Sequence, residues 1–187
     1  LLPIWQTGYS APVTPMDSAM TPPHVMVIGG TGMLAGLCQV LADRGHPVSV
    51  LARQTRELGS GVRGFTCDYT RPGVLDVAIG QAIETLGPVR TLISWIHSTV
   101  PEAPAHAQRL ANPDRHLRIL GSASAKQPAP GLAEAGWERI TLGWVRTGST
   151  SRWLTHAEIC LGVLEAFDRP QPATVVGTLE PGAHRPR

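Results

Sequence analysis

Between His24 and Arg53 the chain reads HVMVIGGTGMLAGLCQVLADRGHPVSVLAR, and this succession constrains the fold more than any other part of the sequence. Val25, Met26, Val27 and Ile28 form an uninterrupted apolar run, the pattern of a parallel strand buried on both faces. Gly29, Gly32 and Ala35 follow at the spacing G-x-x-G-x-x-A. The first glycine permits a tight turn, the second lets main chain approach a bound group closely, and the small third residue lets a helix pack on a strand. Leu34, Leu37, Cys38, Leu41 and Ala42 then recur near every 3.6 residues, and Gly45 ends that helix. Val48 to Leu51 is a second β-rich run. Strand, glycine turn, helix, strand brings main-chain N–H groups and a helix dipole to one point, as a pyrophosphate requires. The run therefore predicts dinucleotide binding, with a purely structural βαβ turn as the alternative.

The second strand ends at Ala52–Arg53 with no Asp or Glu beside it. An acidic side chain there accepts from the ribose 2′-OH of NAD, whereas a guanidinium suits a 2′-phosphate. Arg53 thus favours NADP(H), against the alternative of a surface arginine bonded only to water. Arg56 is a second candidate for the same phosphate.

The rest of the chain continues the alternation. A third strand covers Arg63 to Cys67 and stops at Asp68; residues 72–86 form a helix with Pro72 in its first turn. Arg90 to Ile96 is a fourth strand, followed by a helix through about Ala111, and Leu117 to Leu120 is a fifth, ended by Gly121 and Ser122. Residues 126–137 are irregular, Arg139 to Val145 is a sixth strand, and residues 156–168 are a helix. Thr155 and Glu158 stand at capping-box spacing ahead of that helix. Ala173 to Gly177 adds a seventh strand. The expected fold is α/β, a doubly wound parallel sheet (Rossmann fold) with strand order 3-2-1-4-5-6-7 in three α/β/α layers, its ligand along the carboxyl edge. Residues 1–23 read as an irregular leader outside the fold, 24–179 as a single NADP-binding domain, and 180–187 as a loose tail.

At 187 residues the apolar content suffices for a core without staples. The net charge is +2, and of sixteen basic residues only Lys126 is a lysine; they are scattered, so no stripe argues for nucleic acid. No apolar run reaches membrane-span length. Cys38, Cys67 and Cys160 lie far apart, which suggests reduced, buried thiols and a cytoplasmic setting. The seven histidines form no H-x-x-x-H or H-E-x-x-H pattern, so no metal site is expected. No P-loop or G-x-S-x-G elbow is present.

The run from Gly29 to Ala35 resembles the glycine signature of atypical, NmrA-like branches of the short-chain dehydrogenase/reductase superfamily, and the resemblance extends over about residues 24–178. It implies that Gly29, Gly30, Thr31, Gly32, Met33 and Leu34 hold the cofactor, with Trp95 and Ser122 at the ends of the fourth and fifth strands. Arg53 matches the NADP-selecting position and Asp68 the adenine-proximal aspartate. The Leu120–Ser124 run matches the strand end where the family places its catalytic serine, and Leu142–Gly148 resembles the segment beside nicotinamide. Active members carry Y-x-x-x-K beyond the serine; this chain has only Tyr9 and Tyr69, and Lys126 follows Ser122 too closely. The helix that bears that pair is also largely missing. Family members pair through helices that are shortened here, so a homodimer is an expectation from resemblance alone.

A reductase still needs a proton donor and hydrogen-bond donors for developing charge. His97, just after the fourth strand, is the candidate acid, with Ser122 beside it; a backbone-bonded histidine and a turn-capping serine are the alternatives. Ser124 and Lys126 are further polar candidates. Trp144, Arg146 and Arg152, with Trp153 nearby, are candidate substrate residues that would clamp an anionic or flat ligand, unless Trp153 packs ahead of the last helix. Two functions follow as expectations: hydride transfer to a small carbonyl substrate, or a catalytically silent NADP(H) sensor.

Overall fold

The computed structural model describes residues 22–55, 58–71, 73–122 and 136–180. In chain order these form β1 (His24–Ile28), α1 (Ala35–Asp43), β2 (Val48–Ala52), β3 (Val62–Thr66), α2 (Val74–Leu86), β4 (Val89–Ser94), α3 (Ala103–Ala111), β5 (Arg115–Gly121), β6 (Glu138–Leu142), β7 (Trp144–Thr147), β8 (Thr150–Trp153), α4 (His156–Asp168) and β9 (Ala173–Val176). Seven strands make one parallel sheet in the order β3-β2-β1-β4-β5-β6-β9. This is the expected doubly wound order, with β9 as its seventh strand.

Every residue of β1 and β2 is buried because successive side chains enter opposite layers. Val25 and Val27 pack with Leu37, Leu41, Leu117 and Val163 beneath α1 and α4; Met26 and Ile28 pack with Leu75, Ile79, Leu92 and Ala107 beneath α2 and α3. Each fully buried Leu or Ile contributes about 1.5–3 kcal/mol, so both faces of the central strands are firmly covered. Thr155 and Glu158 form the expected capping box: Glu158 N–H donates to Thr155 Oγ1 at 3.3 Å, and Thr155 N–H donates to Glu158 Oε2 at 2.8 Å. Arg115 donates through Nε and Nη2 to the two oxygens of Glu138, at 2.7 and 2.8 Å, clipping β5 to β6.

Three sequence expectations are corrected. The sixth strand does not continue to Val145: it ends at Leu142, and Trp144–Thr147 turns away to pair antiparallel with Thr150–Trp153. The cause is distant in sequence, since Trp144 exchanges two main-chain hydrogen bonds with Thr178 beyond β9 and is thereby pulled out of the sheet. The fourth strand stops at Ser94 instead of Ile96, and the second helix begins at Val74, after Gly73 in the left-handed region (φ 78°). Pro22 and Pro23 touch the fold: Pro22 packs on Gly45, and Pro23 O is 2.8 Å from His46 Nδ1.

Candidate functional site

The chain leaves β1 through Gly29, at φ +84°, where an added Cβ would stand 2.6 Å from the main-chain oxygen of Trp95. Both conformation and contact therefore require glycine. At Gly30 an added Cβ would press on Cys38 Sγ and both Val50 methyls at 3.0 Å, so Gly30 is the residue that lets α1 lie close to the sheet. That role was expected of Ala35, which is exposed. An added Cβ at Gly32 meets nothing within 4 Å, so main chain there borders open space. Met33 is fixed by its carbonyl, which accepts from Cys160 Sγ at 3.0 Å. The Leu34 side chain is fully buried among the core residues, so only its main chain is left for a ligand. Leu34 also gives α1 no side-chain cap, and the N–H groups of the first turn have no side-chain acceptor there. Turn and helix end together fit a pyrophosphate.

Gly29 and Thr31 open into a cleft of about 800 Å³ at the carboxyl edge, which also takes in Arg53, Asp68, Tyr69, Trp95 and His97. That volume lies within the range of cofactor sites, about 300–1,000 Å³. Arg53 follows β2 and is exposed. The Asp68 carboxylate accepts from Thr70 Oγ1 at 2.6 Å and Thr70 N–H at 3.1 Å. Those bonds, aided by the charges of Arg53 and Arg71, hold its carboxyl below the usual range.

His97 N–H donates to the Tyr69 hydroxyl at 3.4 Å, joining the loops after β3 and β4. The ring Nδ1 accepts from Thr99 N–H at 3.3 Å and lies 3.1 Å from Thr99 Oγ1. The Trp95 indole starts against Gly29, and its Cη2 lies 3.8 Å from where a Cβ on Gly121 would be. Trp95 thus stands between the glycine turn and Ser122, which is half-buried just past β5 and does not line the cleft.

Trp144, Arg146 and Arg152 are likewise not among the described residues lining the cleft. Trp144 is buried and stacks on Trp153, ring centroids 3.7 Å apart, while Trp153 is 54% exposed rather than packed ahead of α4. Arg152 makes a two-pronged pair with Glu158, both bonds 2.8 Å. A clamp built from Trp144 and Arg152 is therefore already closed on the protein's own groups. Arg146 is exposed on the hairpin. Arg56, Ser124 and Lys126 lie outside the described residues.

The sequence reading passed over Tyr69, Gln54 and Thr99 as site residues, although each follows a strand at the carboxyl edge and lines the cleft. Position after a strand end was the signal available for all three. Among the described residues, Cys38, Cys67 and Cys160 are free thiols, and burial pushes the Cys38 thiol up to about 12. Among these residues no group of three His, Cys, Asp or Glu side chains is arranged to hold a metal, and none of the helices they form is long and apolar enough to cross a membrane.

No family model and no curated relative matches the sequence. Solved structures do resemble the fold. A variant of actinorhodin polyketide ketoreductase with NADPH aligns at a TM-score of 0.63 and 16% identity, covering 83% of this chain and 96% of that one. A double mutant of a Serratia marcescens short-chain dehydrogenase/reductase aligns at 0.62 and 14%, covering 83% and 96%. The NADH-dependent reductase A1-R′ complexed with NAD aligns at 0.63 and 11%, covering 84% and 96%. At such identities the likeness speaks for architecture, and in architecture this chain is a Rossmann-like α/β protein folded as these oxidoreductases are.

Proposed function

We propose that this protein binds NADP(H) along the carboxyl edge of its sheet and is an oxidoreductase of the atypical short-chain dehydrogenase/reductase type, passing hydride between the nicotinamide and a small carbonyl substrate. The observation that carries this reading is a cleft of about 800 Å³ at the carboxyl edge that takes in Gly29, at φ +84°, with Thr31, Arg53 and Asp68, while Gly32 is exposed next to Thr31. In this reading the turn from Gly29 to Leu34 and the first N–H groups of α1 receive the pyrophosphate, Arg53 the 2′-phosphate, and Asp68 the adenosine end. The bound dinucleotide supplies the hydride. The chain has to bind, orient and furnish a proton.

His97 suits the last task. Because Nδ1 accepts from Thr99 N–H, the proton of the neutral ring sits on Nε2, which has no hydrogen-bond partner among the described residues. Histidine is also the side chain whose ordinary titration lies nearest neutrality. A second reading, a catalytically silent NADP(H) sensor, is favoured by Trp95, whose indole bars the way from the glycine turn to Ser122. The same proposal takes the protein to be cytoplasmic, in keeping with its three free thiols.

Titration of tryptophan fluorescence with NADPH, NADP⁺ and NADH, followed by turnover assays on a carbonyl panel, tests both readings. Saturable binding that favours NADPH, with turnover, supports the oxidoreductase; the same binding without turnover supports the sensor. No saturable binding of any of the three contradicts both.

A further inference from the structure

The cleft at the carboxyl edge is lopsided. Apart from Trp95, His97 and Thr99, its described lining residues belong to the carboxyl ends of β1, β2 and β3 and the turns that follow them. A smaller cavity of about 370 Å³ shares Arg53 and Gln54 with the cleft and adds Thr55 and Thr66, whose hydroxyl oxygens lie 3.5 Å apart. The space thus continues past Arg53 toward β3, where a guanidinium, an amide and two hydroxyls offer donors to a phosphate.

In the other direction the way is filled by Trp95. Its main-chain N–H donates to Ile28 O at 2.9 Å, which ties it to the end of β1, and its side chain packs on the core beneath α1 and α4. Cδ1 of the ring lies 3.5 Å from where a Cβ on Gly29 would be, and Cη2 lies 3.8 Å from where one on Gly121 would be. Those atoms are at opposite ends of the indole, so the ring spans from the end of β1 to the end of β5, across the path from the glycine turn to Ser122. A ligand seated on the turn meets contacts toward β2 and β3 at once, and toward Ser122 only after the indole has moved. A ligand that needs such a displacement loses affinity by the fraction of molecules in which it already exists.

We propose that the cleft is a site for 2′-phosphorylated adenine nucleotides in their own right, which bind at least as tightly without a nicotinamide half as with one. The placing of phosphates and adenosine rests on the dinucleotide reading above; the loss of any gain from the nicotinamide rests on Trp95. The test is calorimetric titration of the full chain with 2′-phospho-ADP-ribose, NADPH and reduced nicotinamide mononucleotide. Wild type should bind 2′-phospho-ADP-ribose within about threefold of NADPH or more tightly, and the mononucleotide without saturation. Trp95→Ala should tighten NADPH at least about tenfold and leave 2′-phospho-ADP-ribose unchanged. Trp95→Leu keeps an apolar group on the core, and should act in the same direction where the alanine variant fails to fold. NADPH bound more than about threefold more tightly than 2′-phospho-ADP-ribose by wild type would overturn the proposal and leave the dinucleotide reading standing. Saturable binding of the mononucleotide, or folded Trp95 variants that shift both larger ligands alike, would do the same. Binding of 2′-phospho-ADP-ribose without saturable binding of NADPH would support the proposal and overturn the dinucleotide reading; binding of neither would overturn both.

Discussion

The main-chain oxygen of Trp95 stands 2.6 Å from the place a Cβ on Gly29 would take, whereas a Cβ on Gly32, three residues on, would meet nothing. The fold therefore requires glycine at the first position, whereas at Gly32 only the proposed pyrophosphate would require it. Gly29→Ala combines a left-handed backbone with a clash against fixed main chain and should cost about 2 kcal/mol or more in urea unfolding. Gly32→Ala should change stability by less than about 0.5 kcal/mol yet weaken NADPH at least about tenfold by filling the space meant for pyrophosphate. Gly32→Ala that binds NADPH like wild type would show that the phosphates lie elsewhere.

Arg53→Ala should weaken NADPH by roughly ten- to a hundredfold, the worth of charge-assisted hydrogen bonds of about 1.5–3 kcal/mol, and leave NADH nearly unchanged. Fluorescence titration reads both affinities. Equal losses would mean that Arg53 does not read the 2′-phosphate.

His97→Ala should abolish turnover and spare NADPH affinity, because its proposed duty is at Nε2 and its hydrogen bonds to Thr99 are local. His97→Gln, which hydrogen-bonds without donating a proton at neutrality, should be equally inactive. Turnover that survives either change removes the histidine from the chemistry.

Arg152→Ala tests whether the hairpin arginine serves the ligand or the fold. Its pair with Glu158 is exposed, and solvent screens such pairs so that they contribute little. A small loss of thermal stability with unchanged NADPH and substrate affinity is expected. A tenfold loss of substrate affinity would restore the ligand clamp.

Acid should destabilise this fold in a defined window. Burial, with Arg118 adding to it, holds His116 down to about 3, and burial also lowers His24. Below pH 6.5 the unfolded chain takes up protons that the folded imidazoles refuse, so stability falls as pH drops from about 6.5 toward 3. One such histidine contributes at most about 1.4 kcal/mol per pH unit. His116→Gln should flatten urea-unfolding stability between pH 6.5 and 4.5; an unaltered slope would show that His116 titrates normally.

The parts of the molecule that were legible in its sequence are those set by local pattern. The β1–α1–β2 unit, the capping box of Thr155 and Glu158, and the strand order all follow from periodicity and short connections. The β7–β8 hairpin did not: the run from Arg139 to Val145 reads as one strand, and its single local signal is Gly143, where the chain breaks because the Thr178 main chain leaves no room for a side chain and pairs with Trp144. Arg118 read as a polar residue within an apolar strand, and its burial on the face it shares with His116 follows from its register with β4 and β6. Tyr69 was weighed only against a Y-x-x-x-K pattern; its place in the cleft comes from the His97 main chain reaching its hydroxyl.

Co-crystallisation with NADP⁺ is the most direct measurement of where the dinucleotide goes. The expected density has its pyrophosphate over Gly29–Met33, its 2′-phosphate within hydrogen-bond distance of Arg53, and its adenine beside Asp68. A dinucleotide seated elsewhere, or a Trp95 indole that still fills the crossing while the cleft stays vacant at saturating coenzyme, would contradict it.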